Sequence, residues 1–533
     1  MKRTAVAPRV GLAFVIVAAV AFPQSTTAFT VETVLDNGPS SNRFDLVLVG
    51  DGFTAGQQGG LTTAANDFAA SFFLEEPFKT YKTFYNVHVV HVVSNETGAD
   101  KQDAVTDGDC PTATFVADTY LDGTFCTSNM QRLLTANPGK LYEVLDRDFP
   151  DWDKAMVIVN STRYGGSGGL VPVTSLHSTW IEGATHELGH TLGSLADEYE
   201  SCYPSFPQGA NTYNITVETS RDRIPWKDWI DPAMPVPTSY HENCNGIAKG
   251  SCGSTSYNSQ TYYCDTASGA PQTYFDLYSS SIGTWEGGRY LHTDNFRPTI
   301  NCMMRSLSQP FCPICRERMI LSTYGEVDHV DSYDPGVQYV DANREDVQTF
   351  SLVAIPKAGS GYAIEWRVDG AASASAGSTF ALVAANYSNG LHTVTVQSHD
   401  ETLMVRTDPS TLLTETRTWT VFVCPADKCC VGGIVFSDGD ADPTNSCRSC
   451  HPEIARDVLT DDDTIPCDDG NACSHSDTCA AGACAGTSYS CDDANMCTDD
   501  ACLGDGTCAN TDNTAACDDG NACSHSDTCA AGA

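Results

Sequence analysis

The chain repeats itself near its C-terminal end. Cys467 to Ala483 reads CDDGNACSHSDTCAAGA, Cys517 to Ala533 reads the same 17 residues, and a looser copy starts CDDANMC at Cys491. Large apolar side chains are scarce inside these units, so no hydrophobic core can hold them and cysteine pairing must do so. Of the 25 cysteines, 15 fall in the last 109 residues, where 21 Asp+Glu meet only 3 Lys+Arg. Residues 425–533 are therefore expected to be a disulfide-rich, acidic repeat region, distinct from what precedes it. The first copy runs on into Cys484 while the last stops at Ala533. The sequence thus predicts a chain cut within a repeat, which accounts for the odd number of cysteines.

Acid dominates the whole chain as well: 68 Asp+Glu against 29 Lys+Arg give a net charge of −39 over 533 residues. Nucleic acid is excluded as a partner, because binding its phosphate backbone requires clustered Lys and Arg. Residues 1–28 read as an export signal: Lys2, Arg3 and Arg9 precede an apolar run from Val10 to Phe22, and small residues follow through Ala28. That run is too short to span a bilayer, and no later segment is apolar enough, so the protein is not expected to be an integral membrane protein. A secreted or extracellular location follows, and with it an oxidising compartment in which disulfides are the default state of cysteine. The acidic repeats leave room for association with a cell surface.

Two further regions are legible. Residues 330–424 contain alternating apolar and polar runs (FSLVAI, YAIEWRVDG, STFALVAA, LHTVTVQS, TWTVFV) separated by Gly, Ser and Asn. This pattern predicts an all-β immunoglobulin-like sandwich with Trp366 on a strand. Residues 29–329 are mixed. Phe44 to Val49, Val87 to Val93 and Ala155 to Val159 read as buried strands, and Thr62 to Tyr81 has helical spacing, so an α/β layer is expected.

Chemistry concentrates in IEGATHELGHTLGSLADEYE, residues 181–200. On a helix, His186 and His190 stand one turn apart on one face, where both imidazoles can reach one metal ion. Glu187 lies beside them, placed to take a proton from a water and later deliver it to a leaving amine. Gly193 comes three residues after His190, where a left-handed residue can end the helix and turn the chain back toward the metal. Either Asp197 or Glu198 can then supply a third ligand, of the oxygen type zinc accepts. The one left over is expected to hydrogen-bond a ligand histidine or the backbone. Tyr199 reads as structural.

With NCMMR at residues 301–305, the segment resembles the metzincin clan of zinc peptidases, whose site rests on a methionine turn. A closer resemblance is to the family M64 peptidases, the IgA-peptidase-like igalysins. It is carried by LVGDGFTAGQ (48–57), PFKTYKTFYNVHVV (77–90), VNSTRYGGSGG (159–169), HELGHTLGSLADEY (186–199) and NCMMRSLSQPFCPICRERM (301–319). The resemblance implies a metzincin-like zinc peptidase domain over residues 29–329, with a protein or peptide as substrate. It further implies His186, His190 and Asp197 as Zn2+ ligands, Glu187 as general base, and Met303 or Met304 as the methionine of the turn. In the wider clan the third ligand falls where this chain has Ala196, which cannot bind metal, so the chain must bend differently after Gly193. The alternative function is a non-catalytic adhesive or calcium-binding surface protein that uses the same fold as a scaffold.

Other motifs carry less. YGGSGG, residues 164–169, has no following Lys and is not a nucleotide loop; it reads as a rim where substrate backbone passes closely, or as an ordinary turn. A rim bordering an open strand edge would let a peptide pair with it. Cys312 and Cys315 form CPIC, but two further ligands at close spacing are not evident in the sequence. Structural disulfides are therefore expected for these two and for Cys302, Cys110, Cys126, Cys202, Cys244, Cys252 and Cys264. The stretch from Cys202 to Cys264 is expected to decorate the cleft. Pro443 excludes an EF-hand at Asp438, Asp440 and Asp442. A looser Ca2+ site there, or at crowded repeat carboxylates such as Asp468 and Asp469, stands beside the reading of a solvated acidic stalk. Asn95, Asn160, Asn214 and Asn386 begin glycosylation sequons.

Overall fold

A computed structural model describes residues 28–102, 110, 115–169, 171–199, 211–238, 280–504, 506–520, 522–523 and 525–532. The export-signal reading of residues 1–27, the four cysteines at 202, 244, 252 and 264, and most of the stretch expected to decorate the cleft lie outside the described residues. Among the described residues no helix is long and apolar enough to cross a membrane.

The chain divides into two compact units. One holds the residues up to Asp331 together with Val353–Ala363 and Ser398–Glu415; the other holds Ser332–Leu352, Ile364–Gln397 and the chain from Thr416.

The first unit is built on a six-stranded sheet. Its strands are β1 (Val31–Leu35), β2 (Phe44–Asp51), β3 (Tyr85–Val90), β4 (Lys154–Val159), β5 (Gly166–Ser167) and β6 (Val173–Ser175), in spatial order β1-β3-β2-β4-β6-β5. The four central strands are parallel, and β1 and β5 are antiparallel edges. The central strands are apolar at consecutive positions because both faces are covered. Leu46, Leu48, Met156 and Ile158 point into a core with helices α1 (Gln58–Phe72), α3 (Trp180–Gly193) and α4 (Pro313–Tyr324). Val47, Val49, Val157 and Val159 point the other way, toward α2 (Pro138–Asp148), whose Leu141, Val144 and Leu145 complete a second core.

Helix α1 ends at Phe72, short of the expected Tyr81. The apolar spacing persists beyond it because Phe73, Phe78 and Tyr81 are buried in the same core on turns, and Phe84 on a short 3-10 helix. Burial, which periodicity reports, is not the same as helix. The LVGDGFT motif is structural: the Asp51 carboxylate, fully buried, accepts from the N–H groups of Leu121 (2.8 Å) and Gly123 (2.9 Å) and from the Thr119 hydroxyl (3.0 Å).

Val353–Ala363 and Ser398–Glu415 are tied to the first unit by a buried charge pair. Lys357 Nζ lies 3.0 Å from Asp400 Oδ1, with side chains 1% and 0% exposed. Asp400 Oδ2 accepts from the hydroxyls of Tyr81 (2.7 Å) and Tyr324 (2.5 Å). Asp400 Oδ1 also accepts from Thr402 N–H (2.9 Å) and Lys357 donates to the Ser360 carbonyl, so two charges with little access to water are compensated by each other and by these neighbours.

The region expected to be a sandwich is made of strands. A five-stranded sheet and a three-stranded sheet contain, among others, Tyr339–Asn343, Tyr362–Val368, Gly390–Asp400 and Thr414–Cys424 in the larger and Val347–Ala354 and Thr379–Val383 in the smaller. Within the second unit, Trp366 and Trp419 of the larger sheet stack 6.0 Å apart, and both meet rings of the smaller sheet: Phe380 at 5.5 Å from Trp366 and Phe350 at 5.1 Å from Trp419. The alternating pattern read from the sequence is the inward half of these strands.

The acidic tail is a series of short hairpins linked by disulfides. Cys467–Cys484 and Cys491–Cys508 close loops of the same length, 17 residues, and Cys447–Cys479 and Cys497–Cys529 span 32 residues each. Repetition of sequence thus becomes repetition of cross-links, in place of an apolar core. The crowded carboxylates have donors of their own. Asp469 accepts from the N–H groups of Asn471 and Gly486 and from the Ser474 hydroxyl, and Asp442 accepts from Thr444.

The disulfides expected in the first unit are not formed at the positions that are described. Cys110, Cys126, Cys302, Cys312 and Cys315 are thiols. The Cys302 and Cys315 sulfurs lie 3.7 Å apart, almost twice the length of an S–S bond.

Candidate metal centre

Helix α3 sorts its residues by face. Ala184, Leu188 and Leu192, four residues apart, are buried in the core, while Glu187 and His190 line a cleft of about 710 Å³ and the buried His186 stands one turn before His190. Each histidine is oriented by its inner ring nitrogen. His186 Nδ1 donates to the carbonyl of Met303 (2.8 Å) and His190 Nδ1 to that of Leu195 (2.7 Å), so both Nε2 atoms face outward together.

The chain returns to them through a left-handed residue, but that residue is Ser194, with φ 51°, and not Gly193. Gly193 is the last helical residue. Its role is space, since a Cβ there would lie 2.8 Å from the Leu195 side chain as the chain folds back. The returning strand is clamped by Asn214, which accepts from Ala196 N–H and donates to the Ala196 carbonyl, both at 2.8 Å. Asn214 is fully buried, so its sequon marks a structural amide and not a glycan site in the folded protein.

This turn places Asp197 at the histidines. Its Oδ1 is 3.0 Å from His186 Nε2 and 3.3 Å from His190 Nε2. Glu198 points the opposite way. It accepts from Asn214 Nδ2 (3.0 Å) and faces Cys315, so it bonds neither a histidine of the site nor the backbone, contrary to the sequence expectation for the leftover acid. Adjacent residues on extended chain project to opposite sides, so Asp197 and Glu198 cannot both reach the cleft.

Both methionines at 303 and 304 are buried. Met303 contributes its carbonyl to His186. Met304 contributes its side chain, which packs beneath Gly189; a Cβ on that glycine would meet the Met304 sulfur at 2.6 Å.

Tyr290 was not evident from the sequence. It lies in the turn between Trp285–Gly288 and Leu291–Arg297, which hydrogen-bonds alongside residues 197–199: Arg289 N–H donates to the Asp197 carbonyl and Tyr290 N–H to that of Tyr199. The Tyr290 hydroxyl donates to Asp197 Oδ2. GGRY marks a turn in the sequence, but nothing in its spacing links it to an acid 93 residues earlier. Tyr199, read as structural, also lines the cleft, with its ring 5.3 Å from that of Tyr290.

The glycine-rich segment forms the cleft rim through β5. Gly168 lies against the general-base candidate, where a Cβ would be 2.5 Å from Glu187 Oε2. The rim is only partly an open edge: Gly166 already donates to the Arg132 carbonyl and accepts from Leu134 N–H.

Charge in the site is self-balanced. Burial works to raise the pKa of Asp197, but hydrogen bonds from both imidazoles outweigh it and hold the carboxyl far below the usual range. Burial opposes charge on His190 too, and Asp197 overrides it, pushing the imidazole up to about 9. Glu187 is raised, burial being the main cause. Two imidazole nitrogens and one carboxylate oxygen, mutually within 4.8 Å, form a donor set that suits Zn2+, and a cation would replace the protons that now join them.

A family model described as IgA Peptidase M64 matches residues 32–322, more than half of the chain. Among curated proteins no match is found.

Proposed function

The chain belongs to the IgA peptidase M64 family, and from that premise we propose that it is a secreted zinc-dependent endopeptidase in which His186, His190 and Asp197 hold the metal and Glu187 is the general base. The observation that carries the proposal is the convergence of His186 Nε2, His190 Nε2 and Asp197 Oδ1 at a cleft whose wall includes Glu187. A zinc ion held there would act as a Lewis acid toward a peptide carbonyl and lower the pKa of water.

The remaining chemistry belongs to the chain's own groups. Glu187 Oε2 is 3.9 Å from His190 Nε2, leaving its carboxylate free to accept a proton from a water lodged beside it. The same oxygen then passes that proton to the departing amine as the C–N bond breaks. Its pKa, raised chiefly by burial, strengthens the carboxylate as the acceptor in the first half of this cycle. Ser167 to Gly169 offer substrate backbone a close approach beside that carboxylate. Met304 supports α3 from below and is the methionine of the turn; Met303 serves through its carbonyl. Secretion is supported by the leader-like residues 1–28 and by the seven disulfides found from Cys424 onward among the described residues, which persist in oxidising surroundings. Residues 330–424 serve as an immunoglobulin-like accessory sandwich, and 425–533 as a stalk with capacity for cell-surface contact or Ca2+.

Incubating the full chain with gelatin, casein and a proteome digest tests the function. Cleavage should stop with a zinc chelator and return on adding zinc, and sequencing the new N-termini would define the preferred side chains. Failure of the zinc-loaded protein to cut any of these substrates would overturn the peptidase reading.

Tyr290 acts here as a positioning residue for Asp197. Tyr290→Phe is expected to cost about 10–100-fold in zinc affinity or activity, as is usual for groups that orient a ligand. The loss should appear as weaker zinc retention in competition with a chelator while the thermal transition is unchanged. Wild-type zinc retention together with wild-type kcat/KM would remove Tyr290 from the site.

A further inference from the structure

Behind the cleft, on the other side of the returning strand, three sulfurs and a carboxylate meet in the protein interior. Cys302, Cys312, Cys315 and Glu198 are 0%, 4%, 0% and 0% exposed, and one ligand atom from each lies within 4.8 Å of all the others. We propose that these four residues form a second, structural metal centre for a thiophilic divalent cation of the zinc class, separate from the site at His186, His190 and Asp197.

Two of the donor spacings match such a centre, and the others fall within 4.8 Å. A tetrahedral ion with Zn–S of about 2.3 Å and Zn–O of about 2.1 Å sets its ligands about 3.8 Å apart for two sulfurs and about 3.6 Å for sulfur and oxygen. Cys302 and Cys315 Sγ are 3.7 Å apart, and Cys315 Sγ is 3.6 Å from Glu198 Oε1. Backbone N–H groups also point at two of the sulfurs: Cys312 N–H toward Cys302 Sγ (3.2 Å) and Cys315 N–H toward Cys312 Sγ (3.5 Å). Thiolates bound to a metal are stabilised by such donors. Cys312 caps the N-terminus of α4, and the C-x2-C spacing of Cys312 and Cys315 is that of zinc ligand pairs.

Glu198 supplies an independent sign of a missing cation. Its Oε1 accepts from Asn214 Nδ2, but its Oε2 is buried without a hydrogen-bond partner, which is costly even with the positive charge of Arg297 acting on the carboxylate. A disulfide does not resolve this. Three sulfurs can make only one bond among themselves, which would strand the third thiol and leave the carboxylate as it is. The sulfur content selects zinc-like ions over calcium or magnesium, which prefer oxygen.

The position suggests the purpose. Glu198 follows Asp197, Cys302 precedes Met303, and Glu198 N–H donates to the Met304 carbonyl at 2.8 Å. A cation here would cross-link the returning strand, the methionine turn and the start of α4, all of which support the cleft from behind.

The test does not depend on peptidase activity. Wild-type full chain and the His186→Ala/His190→Ala double variant would be purified from zinc-supplemented culture, with metal counted by mass spectrometry and coordination read by zinc X-ray absorption. About two zinc ions per wild-type chain are expected, and one in the double variant, its spectrum fitted by three sulfurs at about 2.3 Å and one oxygen. Cys312→Ser should lose that ion alone; if it does not fold, the double variant still decides the matter. A double variant without zinc, a retained zinc without sulfur neighbours, or a disulfide among Cys302, Cys312 and Cys315 in non-reducing peptide maps would each overturn the proposal. All three results leave the active-site reading intact, since that fails only if zinc-loaded wild type does not cleave.

Discussion

Glu187→Gln is expected to lower kcat for peptide hydrolysis by about 10²–10⁴-fold, the usual contribution of a general base, while zinc remains bound. The substitution keeps the shape of the side chain and removes only its ability to take and return a proton. It leaves all three candidate ligands in place, and the side chain is 22% exposed, so little stability should be lost. His186→Ala and His190→Ala should behave differently, losing zinc and activity together, because each removes a donor from the set around Asp197. Steady-state kinetics on a peptide library together with zinc content distinguishes the two kinds of loss. Wild-type turnover by Glu187→Gln would show that another group handles the proton.

Asp400→Ala is expected to destabilise the first compact unit by about 3–5 kcal/mol, the cost of leaving one partner of a buried ion pair alone. Lys357 would keep its charge in a site where it is 1% exposed, and the hydroxyls of Tyr81 and Tyr324 would lose their shared acceptor. Combining Lys357→Met with Asp400→Asn should recover much of this loss, since it removes the uncompensated charge and retains an acceptor for the tyrosines. Thermal unfolding of the full chain measures both effects. An unchanged transition in Asp400→Ala would mean that the pair contributes nothing and that other contacts hold Ser398–Glu415 in this unit.

Asp400 also shows where reading by local pattern stops. It ends the strand Gly390–Asp400, two residues past the alternating run LHTVTVQS, and its partners Tyr81, Tyr324 and Lys357 come from three other stretches of chain. Alternation identified the strand correctly and gave no hint that its end belongs with the first unit. The same limit applies to Thr62–Tyr81, where apolar spacing reported burial accurately and helix only as far as Phe72.

At the candidate site, short-range information was sufficient for some residues and not for others. His186, Glu187 and His190 were legible because helical geometry fixes which residues share a face at a spacing of four. Asp197 and Glu198 could not be separated by spacing, because the answer depends on one left-handed residue at Ser194 and on the Asn214 clamp. Tyr290 and the three-cysteine cluster were invisible for the same reason at greater range: their partners are brought together by the hairpin after Trp285 and by α4.

Sequence alone thus determined the fold layer, the family motifs, the cross-linked character of the tail and the two histidines with their neighbouring acid, since each is set by contacts within a few residues or by an exact repeat. Tertiary structure alone decided which acid faces the cleft, which cysteines remain thiols and which tyrosine supports Asp197. Those outcomes depend on distances between segments far apart in the chain, and such distances exist only once the core has closed around them.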